Sequence, residues 1–201
     1  MCRMGDEGQM RDEGEGEEKK EMPVELLNNE RELVKELGRR IRDRGDATVT
    51  ASVLDMGCGT GRLAAYLSEE TGCEVLGIDV MRDKIERARR RWGRDVEFGV
   101  QSAESMALKD EAFDFVVSLK ALHEIPRPGI ALREAIRVLK NRGRIFIIDW
   151  IGGIAATKRH AHASRYFTPQ QLEALLSLTG FRDIAIEANK EGELMLAEAS
   201  K

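Results

Sequence analysis

The sequence predicts a doubly wound α/β fold built on a mostly parallel sheet. Three observations lead there. Between Ser52 and Trp150 short apolar runs alternate with amphipathic segments of about a dozen residues, the rhythm of βαβ units. Runs such as "FDFVVSL" and "RIFII" are almost continuously apolar, as strands covered on both faces are. The first run, "SVLDMG", passes straight into a glycine-rich loop before a helix. In an open α/β sheet, loops at the carboxyl ends of strands receive the ligand.

The elements follow in order. Residues 1–22 are acidic, glycine-rich and nearly free of apolar side chains, and are expected to form a disordered tail. A cap helix is expected over residues 23–45, opened by Pro23, with Val24, Leu27, Leu33, Val34, Leu37 and Ile41 at roughly helical spacing. The core, residues 52–201, begins with the strand "SVLDMG" and the helix "TGRLAAYLSEETG". Then come "CEVLGID", the helix "MRDKIERARRRWG", and the strands "DVEFGVQ" and "AFDFVVSLK". The helix "RPGIALREAIRVLKNRG" and the strand "RIFIIDWIGG" complete the alternating part. The stretch from Gly152 to Thr168 lacks periodicity and lies at the ligand edge, where long loops serve as lids, so a lid is expected over 152–168. Thr168 and Pro169 open a last helix as N-cap and first helical residue. "FRDIAIEA" and "ELMLAEAS", joined by "NKEG", read as a hairpin that makes the final strand antiparallel.

Bulk composition narrows the function classes. The chain has 201 residues, 42% hydrophobic and 34% charged, which suits one soluble domain. No apolar run approaches the roughly 18–20 residues of a membrane span, and the acidic start lacks the apolar stretch of a secretory signal. Cys2, Cys58 and Cys73 are spaced as neither a disulfide framework nor a zinc site. A reduced, cytoplasmic protein is expected. Residues 1–21 hold eight acids and four bases, which accounts for the formal charge of −4; the rest balances 28 against 28. That neutrality disfavours a dedicated nucleic-acid binder, although the basic helix "RDKIERARRRWGR" keeps RNA open.

The loop "DMGCGTGR" discriminates among ligands. It lacks the lysine and spacing of a phosphate-binding P-loop. It reads G-x-G-x-G, one residue short of the dinucleotide fingerprint. Asp55 stands two residues before Gly57, where it would repel a pyrophosphate and attract an ammonium or sulfonium. S-adenosylmethionine carries both cations, a carboxylate for the helix N-terminus, and a ribose. Asp79, ending the second strand, is placed to accept hydrogen bonds from ribose hydroxyls. Cys58 needs only to be small there and is assigned no thiol chemistry.

"VLDMGCGTGR", "GID", "FDFVVSLKALHEI", "LREAIRVLKNRGRIFIIDW" and "YFTPQQLEALLSLTGF" resemble, in order, the class I S-adenosylmethionine-dependent methyltransferases, and within them the UbiE-like, type 11 group. The resemblance covers about Val53 to Lys201. It implies a seven-stranded sheet with one antiparallel strand. It implies that Asp55, Gly57, Cys58 and Gly59, with Thr60 and Gly61, surround the methionine part of the cofactor. Asp79 would hold the ribose, and Val80 and Met81 would lie near the adenine. In "QSAESMAL" Ser102 replaces the family's usual Asp, so the adenine contact would rest on the Ala103 backbone with Ser102 or Glu104; Leu119 joins the cofactor-binding set. The product would be S-adenosylhomocysteine.

The reaction so implied is in-line attack on the sulfonium, which needs alignment and at most one base. His123, after the fourth strand, is the candidate base; the plainer reading has it hydrogen-bonded and closing the pocket. Trp150, His160 and Tyr166 are candidates for the acceptor pocket, with packing or a solvated loop as the alternative. His160 and His162 have no third ligand, so no metal is expected. Lys158, Arg159 and Arg165 suit an acidic substrate. A small-molecule acceptor is expected, and a monomer or homodimer without membrane attachment. An RNA or protein methyltransferase is the alternative, as is a non-catalytic cofactor-binding partner or sensor.

Overall fold

A computed structural model of the chain describes residues 26–44, 50–158 and 160–201. The expected acidic tail lies outside the described residues, as do Pro23, Val24 and Arg159. Twelve elements follow one another: α1 (Arg31–Arg44), β1 (Ser52–Met56), α2 (Arg62–Thr71), β2 (Glu74–Asp79), α3 (Arg82–Trp92), β3 (Glu97–Val100), β4 (Phe113–Leu119), α4 (Pro128–Val138), β5 (Leu139–Trp150), α5 (Pro169–Thr179), β6 (Arg182–Ala188) and β7 (Leu194–Ser200). The sheet has seven strands in the order β3-β2-β1-β4-β5-β7-β6. β7 runs antiparallel to both its neighbours, and the remaining pairings are parallel.

The alternation of side chains along each strand splits the core into two layers. Val53, Phe115, Val117, Phe146 and Ile148 face α1, α2 and α3. Leu54, Met56, Val116, Ile145 and Ile147 face α4 and α5. Both faces are dry, which is why the central strands read as unbroken apolar runs.

Two boundaries differ from the sequence reading. Among the described residues α1 begins at Arg31, because Asn28–Glu30 before it form a turn. Its Asn28 and Asn29 favour turns over helix interiors, and Glu30 Oε1 accepts the Leu27 N–H at 3.3 Å. β5 begins at Leu139, inside the predicted helix tail "LKNRG". Phe113 pairs with Leu139 and Phe115 with Arg144, so the residues between loop out through Arg142 at φ 66°.

Candidate functional site

The strand order reverses between β1 and β4, and their carboxyl-end loops part to opposite faces. At that point the backbone crowds. A Cβ on Gly57 would lie 2.5 Å from the Ala121 Cβ, and Gly57 has φ 78°, so only glycine fits. The Gly57 and Cys58 N–H groups both donate to the Ile78 carbonyl at 2.9 Å, which ties the loop to β2. Above it runs a cleft of two cavities of about 300 and 290 Å³ that share Gly57, Asp79, Lys84, Ala121 and Glu124.

Asp55 forms the floor. It is 1% exposed, and neither carboxylate oxygen has a hydrogen-bond partner among the described residues. Burial pushes its carboxyl up to about 7, opposed by the Ala64 N–H, which falls short of hydrogen-bond geometry, and reinforced by Asp79. A buried acceptor with no donor is costly unless something supplies one. Asp79 is bound at its base: Oδ2 accepts the Gly59 N–H at 3.0 Å and Oδ1 the Met81 N–H at 2.8 Å. It thus caps the loop and still lines both cavities with a spare lone pair on each oxygen. Burial also pushes the Cys58 thiol up, with Asp55 and Asp79 adding to it, so the sulfur stays protonated.

Thr60 and Leu119 line the first cavity; Val80, Met81, Ser102, Ala103 and Glu104 line the second. Val80 is 65% exposed, an apolar shelf at the end of β2. Ser102 Oγ accepts the Glu104 N–H at 3.1 Å, and the Arg127 guanidinium holds the Glu104 carboxyl below the usual range. Gly61 is the exception among the predicted residues. It caps α2 and turns away from the cleft, where a Cβ would meet the Phe98 ring at 2.6 Å. Its role is helix–strand packing.

His123 lies in a 3-10 turn, Leu122–Glu124, after β4, and is buried. Its Nδ1 stands 2.6 Å from Asp149 Oδ1, and its backbone N–H donates to Asp149 Oδ2 at 3.1 Å. Nε2 points toward Glu124, 4.0 Å away, which lines the cleft. The Tyr166 ring meets His123 edge-on at 4.8 Å. Tyr166 also stacks on Trp150 at 6.1 Å and reaches His160 Nδ1 with its hydroxyl at 3.3 Å. Burial, with Asp149 and Glu124 behind it, raises the Tyr166 phenol, so it is neutral at pH 7. Gly152 permits this fold-back: a Cβ there would lie 2.2 Å from the Tyr166 carbonyl oxygen, and its N–H donates to the Phe167 carbonyl at 2.8 Å.

The structure thus brings Trp150, His160 and Tyr166 together beside His123; none of the four lines either cavity, and they adjoin the cleft through Glu124 and Lys120. His162, Lys158 and Arg165 are exposed on the loop. Among the described residues no three His, Cys, Asp or Glu side chains gather as a metal-ligand set. The sequence reading missed Asp149 as the partner of His123, and it missed Arg62, Lys84 and Lys120 in the cleft. The position of Arg62 directly after the glycine loop, and of Lys120 directly after β4, was the available signal.

Comparison with known proteins fits this geometry. The family profile described as "Methyltransferase domain" matches residues 54–147. The chain is 33% identical over 115 residues to methyltransferase GfsG of Streptomyces halstedii, covering 55% of this chain and 41% of that protein. It is 28% identical over 166 residues to the ubiquinone biosynthesis O-methyltransferase of Idiomarina loihiensis, covering 73% of this chain and 68% of that one. The chain therefore spans less than half of the first relative and about two thirds of the second. The solved structure of a SAM-dependent methyltransferase from Aquifex aeolicus superposes with a TM-score of 0.70 at 21% identity, over 84% of this chain and 97% of that one, a likeness of fold.

Proposed function

We propose that this chain is a class I S-adenosylmethionine-dependent methyltransferase and that it methylates a hydroxyl group of a small-molecule acceptor. When bound, S-adenosylmethionine supplies a methyl group made electrophilic by its sulfonium and leaves as S-adenosylhomocysteine. The observation that carries the reading is Asp55, a buried carboxylate without a donor beneath a glycine loop that no side chain fills. An anion in that place fits a cationic ligand and opposes a pyrophosphate. Gly57 and Gly59 let the ligand approach, Asp79 accepts from ribose hydroxyls, and the shelf of Val80 and Met81 with Ala103 covers the adenine.

The His123–Asp149 pair supports a hydroxyl acceptor. Asp149 orients the imidazole through Nδ1 and leaves Nε2 toward the cleft side, where it takes the acceptor proton. Trp150 and Tyr166 offer flat apolar surface beside it. One relative that the chain resembles is by name an O-methyltransferase of ubiquinone biosynthesis, which also supports a small-molecule hydroxyl.

Calorimetric titration with S-adenosylmethionine, S-adenosylhomocysteine and NAD tests the cofactor part. Both adenosyl ligands are expected to bind and NAD not to. Asp79→Asn, which keeps one acceptor for the loop, is expected to weaken them about tenfold or more. Binding of NAD alone overturns the reading. With an acceptor in hand, His123→Asn is expected to lower kcat about 100-fold or more while the Kd for S-adenosylhomocysteine stays within about twofold. An unchanged kcat removes the base.

A further inference from the structure

We infer that Glu30 is a positioning residue of the cofactor site: a buried carboxylate, carried by the turn before α1, that sets Arg62 and Lys120 to receive the carboxylate at the amino-acid end of the ligand. This rests on reading the cleft as an adenosyl site, and it adds the N-terminal segment to that site.

Glu30 is wholly buried, at 0% exposure. Its Oε1 accepts a hydrogen bond from Arg62 Nη2 at 2.5 Å. Its Oε2 stands 2.8 Å from Lys120 Nζ as an ion pair, outside hydrogen-bond geometry, and has no other partner among the described residues. Arg62 and Lys120 both line the cleft beside the glycine loop, and the buried Nε of Arg62 has no acceptor. The cluster holds two cations and one acid. Within this cluster the cations outnumber the acid, at the wall of the cleft nearest the N-terminus of α2, which itself favours an anion; Asp55, Asp79 and Glu124 line the same cleft.

A buried ion pair that served only to dock α1 would be a poor device. Dehydrating the charges costs about as much as their attraction returns, and α1 is already seated by Leu33, Val34, Leu37 and Ile41. The remaining N–H donors of Arg62 and Lys120 make sense if a further anion accepts from them. Lys120 is fixed from two other sides. Asn29 Oδ1 accepts from its Nζ at 3.1 Å, and the Trp150 ring centroid lies 4.6 Å from it. Glu30 and Asn29 belong to one turn, so a single segment orients both cations.

The test uses two ligands that differ only at the amino-acid end. S-adenosylhomocysteine carries the carboxylate; 5′-methylthioadenosine keeps the adenine, ribose and thioether without it. In calorimetric titration of the full chain, Glu30→Gln is expected to weaken S-adenosylhomocysteine about tenfold and to leave 5′-methylthioadenosine within about twofold. Arg62→Gln and Lys120→Met, which remove one cation each, are expected to show the same selective loss and carry the test should the Glu30 variant fail to fold. Equal loss for both ligands makes Glu30 a structural residue only and overturns the inference. So does no change, or tighter binding of S-adenosylhomocysteine, which would mark Glu30 as a competitor for the cations. If the unaltered protein binds neither ligand, the adenosyl reading fails first and the inference falls with it.

Discussion

Asp55 concentrates the physics of the site in one side chain. Its folded carboxyl sits at about 7 against an ordinary 3.8, because burial strips it of water and no donor replaces the loss. A raised carboxyl pKa means that the folded state holds a proton which the unfolded state has released. Its contribution to stability is full below about pH 4 and is lost as pH rises through 7. At roughly 1.4 kcal/mol per unit, the loss is on the order of 4 kcal/mol. Asp55→Asn is therefore expected to unfold at higher urea than the unaltered protein at pH 8, with the gap closing toward pH 4. A cationic ligand reverses the balance by favouring the charged carboxylate, so binding of S-adenosylmethionine near pH 6.5 is expected to release up to one proton. Titrations in buffers of different ionisation enthalpy read that proton directly; a buffer-independent heat would show that Asp55 does not face the cation. Asp55 was legible in the sequence because it sits at a fixed offset from the glycines of its own loop, and Asp79 because it ends the second strand, 22 residues after Gly57. Asp149 was not legible as the partner of His123, since 26 residues separate them and only the adjacency of β4 and β5 joins them.

At the scale of elements, what the sequence revealed depended on how local the cause was. The seven strands and the helices from α2 to α5 came from periodicity and glycine stops, which are local. Thr168 shows how local a cap is: its side chain accepts the Gln171 N–H at 3.2 Å while Gln171 Oε1 accepts the Thr168 N–H at 2.9 Å, a reciprocal box within four residues. The turn Asn28–Glu30 was hidden because Leu27 fits a helical spacing with Leu33 and Val34, whereas the buried acid in this turn meets Arg62 and Lys120, which come from distant elements. The excursion inside β5 was hidden for a like reason: "LKNRG" suits a helix end, and only the register with β4 shows that pairing has already begun at Leu139. The stretch 152–168 had no period to read, and its fold-back depends on Gly152 admitting the Tyr166 backbone. Gly61 looked equal to Gly57 and Gly59 in the motif, yet Phe98 decides its role, and that contact crosses from β3.

Across the whole molecule, the first described helix and the last strand are joined by one acid. β7 is buried at every position, and Glu198 within it is 4% exposed. Its carboxylate meets Arg40 at 3.2 Å and Arg44 at 2.7 Å from α1, and Arg144 at 2.7 Å from β5. Arg40 is itself shared with Glu36, whose carboxyl the Arg39 and Arg40 guanidiniums hold down at about 2. Removing the one acid that three cations share leaves them to repel each other against a dry strand. Breaking a fully buried pair costs about 3–5 kcal/mol, but these arginines keep 18–37% of their side chains in water, so screening reduces it. Glu198→Gln is expected to lower stability by about 2 kcal/mol in urea denaturation, and by less at high salt. The same variant is expected to bind S-adenosylhomocysteine within about twofold of the unaltered protein. The cluster lies at the C-terminal half of α1, whereas Glu30 precedes its start, and the apolar face of Leu33, Val34, Leu37 and Ile41 keeps the helix seated between them. Should affinity fall in step with stability, the charges at the far end of α1, and not its apolar face, would be what holds Glu30 over the cleft.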